Sequence, residues 1–142
     1  PLRLFMESYL RKIGRELRYN STMATIVDID DTLLRNGSQP IQRVIDYVNA
    51  LPGPKYIVTG RPESTRAETV RALKKAGVKY SRLYMNPYST SNSNKHKEEI
   101  GRKLKGSVNL AIENNPTQRD IYSKLGIKTK DPATIKDTKA IM

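Results

Sequence analysis

The sequence of 142 residues has no cysteine, no tryptophan and a single phenylalanine. Without cysteine, neither a disulfide framework nor a thiolate metal site can form, which fits a reducing, cytoplasmic compartment. Because large aromatic side chains are so scarce, a core must be built mainly from aliphatic ones. No apolar run is long enough to span a bilayer, and no stretch resembles a secretory signal peptide. We therefore expect a cytoplasmic protein without a membrane span.

Acidic residues are also few. There are 14 of them against 26 lysines and arginines, which gives a formal net charge of +12. A field of this sign attracts polyanions and speeds their encounter with the protein. Solubility alone would also explain the charge, but a polyanionic partner, most simply nucleic acid, is the more specific interpretation. The chain length indicates one domain that is large enough to bury a core.

Three of the acidic residues lie together directly after a short apolar stretch at residues 24–27. Such a stretch is typical of a buried strand in a parallel sheet, and ligands bind at the carboxyl ends of such strands. Asp28, Asp30 and Asp31 would repel one another unless a cation lay among them. Their oxygens suit Mg²⁺, which takes few protein carboxylates. An acidic turn with no ligand is the plainer alternative.

Apolar stretches alternate with helical patterns along the rest of the chain. Further strands are predicted at 56–58, 82–85 and 108–112, with a short one from 127; helices are predicted at 41–50, 63–76, 95–104 and 116–125. This order indicates βαβ units in a mainly parallel, Rossmann-like sheet flanked by helices. Residues 33–39 are long enough only for a small hairpin or flap.

Polar clusters follow three of the predicted strands: residues 28–31, 59–61 and 113–115. Right-handed crossovers bring the carboxyl ends of parallel strands to one side, so these clusters should meet. Each cluster alone has an ordinary structural explanation. Together they suit phosphoryl transfer, with one carboxylate as nucleophile, a second as general acid and base, and a hydroxyl and cations on the phosphoryl oxygens.

The segment Asp28-Ile29-Asp30-Asp31-Thr32 resembles the first motif, Asp-x-Asp-x-Thr, of the haloacid dehalogenase-like (HAD) phosphatases. The resemblance extends over about residues 24–128, with the motifs in the family's order. It implies an HAD-like fold, with Asp28 as nucleophile and Mg²⁺ ligand. Asp30 would be the general acid and base, with its carbonyl on the metal. Thr32 would be one of the residues that bind the substrate.

The second and third HAD motifs also have counterparts. Thr59 matches the phosphate-binding Ser/Thr of the second motif and is followed by Gly60 and Arg61, which we expect to contact the substrate phosphate. The third motif requires a lysine. Lys97 is preferred for this catalytic role, and Lys95 is the alternative that the sequence leaves open.

The fourth motif departs from the family pattern. The family usually has Asp-Asp, or Gly-Asp with a further Asp, where this chain has Glu113-Asn114-Asn115. Asn114 stands where the metal-binding aspartate is expected, and its amide oxygen brings no charge. Glu113 is a second candidate ligand that would compensate. We expect both to take part in the Mg²⁺ site.

The spacing between the motifs leaves no room for a sizeable cap domain. Uncapped members of the family tend to act on macromolecules. The Thr59-Gly60-Arg61 and Lys97-Glu98-Glu99-Ile100 segments also resemble the phosphatase domain of phage-type polynucleotide kinase/3′-phosphatases. This implies a Mg²⁺-dependent phosphomonoesterase acting on nucleic-acid 3′-phosphate ends. The alternatives are a phosphatase of mononucleotides or other small esters, and a binding or structural protein with weak or no catalysis.

The two ends of the chain are assigned separately from the core at 23–130. Apolar residues recur every three to four positions in residues 1–22 among several arginines, which predicts a basic amphipathic helix. It would pack on the domain or, less simply, bind a membrane or nucleic acid. Residues 131–142 are expected to form a polar, loosely packed tail. The sequence does not indicate an oligomeric state.

Overall fold

The computed structural model of the protein describes residues 23–137 and, before them, residues 6, 8 and 9. The predicted helix at 1–22 therefore lies almost entirely outside the described residues, as does the end of the predicted tail. The strands are β1 (Ala24–Val27), β2 (Leu34–Arg35), β3 (Gln39–Pro40), β4 (Lys55–Pro62), β5 (Arg82–Asn86), β6 (Val108–Ile112) and β7 (Thr129–Lys130). The helices are α1 (Gln42–Ala50), α2 (Arg66–Lys75), α3 (Ser93–Leu104) and α4 (Pro116–Lys124).

Five of the strands form one sheet in the order β5-β4-β1-β6-β7. Each neighbouring pair in it is parallel. The chain builds outward from β1 to β4 and β5, then crosses back to β6 and β7. This confirms the predicted α/β fold with a parallel, Rossmann-like sheet flanked by helices. In such sheets the reversal of strand order opens a crevice at the strand ends, which here is beside β1.

Adjacent residues of the central strands point to opposite faces of the sheet, and each face carries its own apolar core. On one face, Val27 and Ile112 pack with α1 and α2. On the other face, Ile26 and Ala111 pack with the end of α3 and with Tyr122 of α4. Three of the four residues of β1 are β-branched, and the strand is buried along its whole length. It thus fixes the position from which the acidic segment starts.

The bounds of several elements differ from the sequence predictions. β4 continues to Pro62, so Thr59, Gly60 and Arg61 belong to the strand rather than to a turn after it. Its pairing with β5 is irregular between Val58 and Pro62. The helix predicted from residue 63 begins with a separate 3₁₀ turn, Glu63–Thr65, ahead of α2. These differences arise because side-chain periodicity does not mark where a regular backbone ends.

The predicted flap is present as the antiparallel hairpin of β2 and β3. Its turn places Asn36 and Gly37 at positive φ, which these two residue types tolerate well. Part of the predicted tail packs against the domain, since Ile135 is buried in the core beside α1 and its carbonyl accepts a hydrogen bond from Arg43 Nε. Among the described residues, no helix is long and apolar enough to cross a membrane.

Candidate active site

A cavity of about 350 Å³ opens at the carboxyl ends of β1, β4 and β6. Several of the residues predicted for the site line it, namely Asp28, Asp30, Gly60, Arg61, Lys97 and Asn114. Thr32, Thr59 and Glu113 are buried at 0–1% exposure and are not among the lining residues. The fold thus brings the three polar clusters of the sequence together.

Asp28 is held rigidly at the end of β1. Its backbone N–H donates to the carbonyl of Ile112 on β6 at 3.0 Å, which continues the sheet ladder by one residue. Its Oδ2 accepts a hydrogen bond from Thr32 Oγ1 at 2.9 Å, and its Oδ1 accepts one from Lys97 Nζ at 2.8 Å. With both oxygens held and 6% of the residue exposed, the carboxylate has a single orientation, at the cavity.

Lys97 joins two buried carboxylates. Its Nζ also donates to Glu113 Oε1, while Glu113 Oε2 accepts from the backbone N–H of Asn115 at 3.1 Å. Burial raises the pKa of Glu113 to about 7, with the nearby Asp28 charge adding to the effect and Lys97 opposing it. For Lys97 itself, burial opposes the charged form, but the two carboxylates outweigh it and raise its pKa. The lysine therefore stays charged at neutral pH.

The sequence left Lys95 and Lys97 as alternatives for the lysine at the site, and the structure separates them. Lys97 contacts Asp28, whereas Lys95 is exposed, with its Nζ 4.4 Å from the centroid of the Tyr88 ring. Two residues along a helix point to different sides. Lys97 is the fifth residue of α3, and its position at the site could be inferred only once the start of the helix was known.

Asp30 and Arg61 form a second ion pair, at the mouth of the cavity. Arg61 donates twice to the carboxylate, from Nε at 3.0 Å and from one terminal nitrogen at 2.8 Å. That nitrogen also donates to the carbonyl of Gly37 in the hairpin at 2.9 Å. The Asp30 side chain is 51% exposed, so this pair remains in contact with solvent. The hydrogen bonds to Asp30 raise the pKa of Arg61 against its partial burial.

Gly60 lets β4 approach the start of α3. A Cβ at this position would collide with Ser93 Oγ, so any side chain here would force Ser93 to shift. The neighbouring Thr59 hydroxyl accepts a hydrogen bond from the backbone N–H of Arg61 at 3.1 Å. Gly60 and Thr59 thus hold the backbone that presents the Arg61 guanidinium.

Some residues at the site were missed by the sequence analysis. Asn86 is fully buried at the end of β5, and its amide nitrogen donates to the carbonyls of Gly60 and Ser89. Ser93 and Gln118 line the cavity from the helix starts. A polar residue at the carboxyl end of a predicted strand was the available signal for Asn86. Nothing in the sequence marked Gln118, which reaches the cavity only through the packing of α4 on α3.

The oxygen donors around the cavity can be compared with what Mg²⁺ requires. Mg²⁺ commonly binds one or two carboxylates and keeps several waters. The carboxylate of Asp28, the amide oxygen of Asn114 and the Asp30 carbonyl belong to residues on one cavity and are hard oxygen donors of this kind. Within residues 23–137, no cluster of three or more His, Asp or Glu side chains suits a metal ion. Both Glu113 oxygens already have protein partners, so its role as a ligand stays a prediction.

The fold and the site together define a doubly wound α/β protein with an acid- and cation-lined cavity beside its first strand. No protein-family profile and no curated protein matches the sequence. A chain in the structure of the Pnkp1/Rnl/Hen1 RNA repair complex is similar, with a TM-score of 0.62 and 22% sequence identity. The match covers 78% of this chain and 42% of that chain, so this chain spans less than half of the length of its structural neighbour. At this identity the likeness establishes the fold alone.

Proposed function

We propose that the protein is an HAD-type, Mg²⁺-dependent phosphomonoesterase that acts on nucleic-acid 3′-phosphate ends. The observation that carries the proposal is the fixed position of Asp28, which is held between Thr32 and Lys97 and faces a cavity that Arg61 also lines. A carboxylate in such a position is a suitable nucleophile for phosphoryl transfer. The name of the similar structure, an RNA repair complex, supports a nucleic-acid substrate.

In the proposed reaction, a carboxylate oxygen of Asp28 attacks phosphorus and the bond to the ester oxygen breaks. Asp30, protonated and released from Arg61 before this step, gives a proton to that leaving oxygen. Water then attacks the phosphorus of the aspartyl phosphate, Asp30 takes the proton of the water, and inorganic phosphate leaves with the Asp28 carboxylate restored. The two residues therefore return to their starting states after each turnover.

Two cations of the chain would stabilise the charge that spreads over the phosphoryl oxygens. Lys97 already touches Asp28 and keeps its position as the phosphoryl group arrives. Arg61 must exchange part of its contact with Asp30 for the substrate, and this exchange releases Asp30 for proton transfer. Mg²⁺, held by Asp28, Asn114 and the Asp30 carbonyl, would supply further positive charge when bound.

The net charge of +12 favours a polyanionic substrate over a small ester. The first test is release of phosphate from p-nitrophenyl phosphate and from a 3′-phosphorylated oligonucleotide, each with Mg²⁺. We expect Asp28→Asn to abolish both activities, and the oligonucleotide to outcompete a 3′-mononucleotide. Equal use of both substrates would favour the small-ester alternative. Turnover that does not depend on Asp28 at any Mg²⁺ concentration would leave only a binding or structural role.

A further inference from the structure

Three tyrosines pair with three cations along one side of the molecule. The Arg82 guanidinium lies 5.6 Å from the centroid of the Tyr56 ring, and Lys103 Nζ lies 5.6 Å from that of Tyr84. Lys95 Nζ lies 4.4 Å from the centroid of Tyr88. Tyr56 and Tyr84 also meet edge to face at 6.3 Å. We call these residues the tyrosine track: Tyr56, Arg82, Tyr84, Tyr88, Lys95 and Lys103.

The track follows the β5 edge of the sheet toward the cavity. Tyr56 and Arg82 are register partners on β4 and β5, and Tyr84 follows Arg82 on the same face. Lys95 and Lys103 lie two helical repeats apart on α3, about 12 Å along its axis. The Tyr88 end adjoins the cavity, because Thr90 and Ser93, which follow it closely, line the cavity wall. The track thus extends from the exposed sheet edge to the candidate active site.

The side chains of the track remain accessible. The three cations are exposed, and the three tyrosines are half-buried, with Tyr56 and Tyr84 packed against the core. Rings held on a core lose little freedom when a flat ligand stacks on them, while lysines and arginines can move to a phosphate. The surface combines fixed aromatic rings with mobile positive charge.

We propose that the tyrosine track binds a single strand of nucleic acid and leads its end into the cavity. The inference rests on the proposed function only in one respect, namely that a phosphate at that end is hydrolysed in the cavity. Single-strand sites combine a positive groove for the backbone with aromatic rings on which bases stack. An acidic peptide would pair with the cations, but its carboxylate side chains are not flat rings that stack on the three tyrosines. The net charge of +12 also attracts a polyanion such as a nucleic-acid strand.

The molecule provides an internal control for this inference. Tyr47 and Lys130 form a pair of the same kind, with Lys130 Nζ 5.6 Å from the ring centroid, beside β7 at the opposite edge of the sheet. If cation–π pairs served only the fold, the two edges would behave alike toward nucleic acid. The track should differ from the Tyr47–Lys130 pair because Thr90 and Ser93, next to the Tyr88 end of the track, line the cavity, whereas Tyr47 and Lys130 do not.

The experiment measures binding of a fluorescent single-stranded oligonucleotide with a 3′-hydroxyl end, so that catalysis plays no part. We expect Tyr88→Leu to weaken binding about tenfold, as loss of one stacked base does. Lys103→Glu and Arg82→Glu should each weaken binding and reduce its salt dependence. The matched controls are Tyr47→Leu and Lys128→Glu, which make the same chemical changes near β7. Circular dichroism and melting temperature establish that each variant is folded.

Equal effects at the track and at the controls would overturn the inference. Full competition by polyglutamate, together with no effect of Tyr88→Leu, would overturn it as well.

The same variants separate this inference from the proposed function. Hydrolysis of p-nitrophenyl phosphate by wild type and by Asp28→Asn tests the phosphatase assignment by itself, because this small ester has no strand for the track to bind. If Asp28-dependent hydrolysis is absent but the track variants lose binding, the inference stands and the phosphatase assignment fails. If hydrolysis is present and binding is unaffected, the track assignment alone fails.

Discussion

Asp28 and Asp30 are two residues apart and each is paired with a cation, yet their surroundings are opposite. The Asp28–Lys97–Glu113 group is buried, with side-chain exposures of 8%, 2% and 1%. The Asp30–Arg61 pair is half in solvent, with exposures of 51% and 17%. A buried pair cannot be broken without leaving a charge unsolvated, whereas water replaces a lost partner at the surface. The fold therefore fixes the proposed nucleophile and leaves the proposed acid free to change partners.

The largest effect should come from removing the cation of the buried group. Lys97→Met leaves Asp28 and Glu113 without their shared partner, which should lower the free energy of unfolding by about 3–5 kcal/mol. Urea denaturation followed by circular dichroism measures it. Lys95→Met is the matched control, since it makes the same change at an exposed position of the same helix. Similar losses in the two variants would show that the buried group does not behave as one unit.

The second-largest effect should be a pH dependence of the free energy of unfolding that Glu113 causes. The pKa of Glu113 is about 7 in the folded protein against an ordinary 4.5, so the folded state binds more protons between these values. Stability due to this group is then fully present below about pH 4.5 and is lost as the pH rises through 7, on the order of 3 kcal/mol in all.

Comparison of wild type with Glu113→Gln, both in EDTA, tests this pH dependence. The difference in free energy of unfolding between the two proteins should change steadily from pH 4.5 to 7 and level off above it. Glu98→Gln, at a position half exposed on α3, provides the control and should leave the pH dependence of wild type intact. A pH-independent difference for Glu113→Gln would mean that its carboxyl titrates normally.

The smallest effect on stability should come from the Asp30–Arg61 pair, whose carboxylate is half exposed. Arg61→Met should change the free energy of unfolding by no more than about 1 kcal/mol, because solvent and salt screen the charge left on Asp30. The same urea titrations measure it, and raising the salt concentration should reduce the difference further. A loss comparable with that of Lys97→Met would mean that Arg61 holds the domain together rather than serving the cavity.

The contrast between the two pairs also explains what could be predicted from the sequence. The alternation of apolar stretches with helical patterns indicated the parallel sheet, and the acids after β1 indicated where the candidate site would lie. The sequence could not show that Glu113 would turn to Lys97, because that contact depends on how α3 and β6 pack. It also could not show that Arg61 would reach Asp30, since β4 extends four residues farther than its apolar pattern. Side-chain chemistry follows from sequence, while the pairing of charges follows from tertiary packing.

The hydrogen bonds of Arg61 set a condition on any anion that enters the cavity. A guanidinium has five N–H groups in one plane. Four of them are already in use: two donate to Asp30, one donates to the Gly37 carbonyl, and one makes a longer contact of 3.4 Å with Thr69 Oγ1. A ligand that takes two donors must therefore displace Asp30, Gly37 or Thr69. The β2–β3 hairpin loses a tether whenever the displaced group is Gly37, so an anion on this arginine would free the hairpin to move.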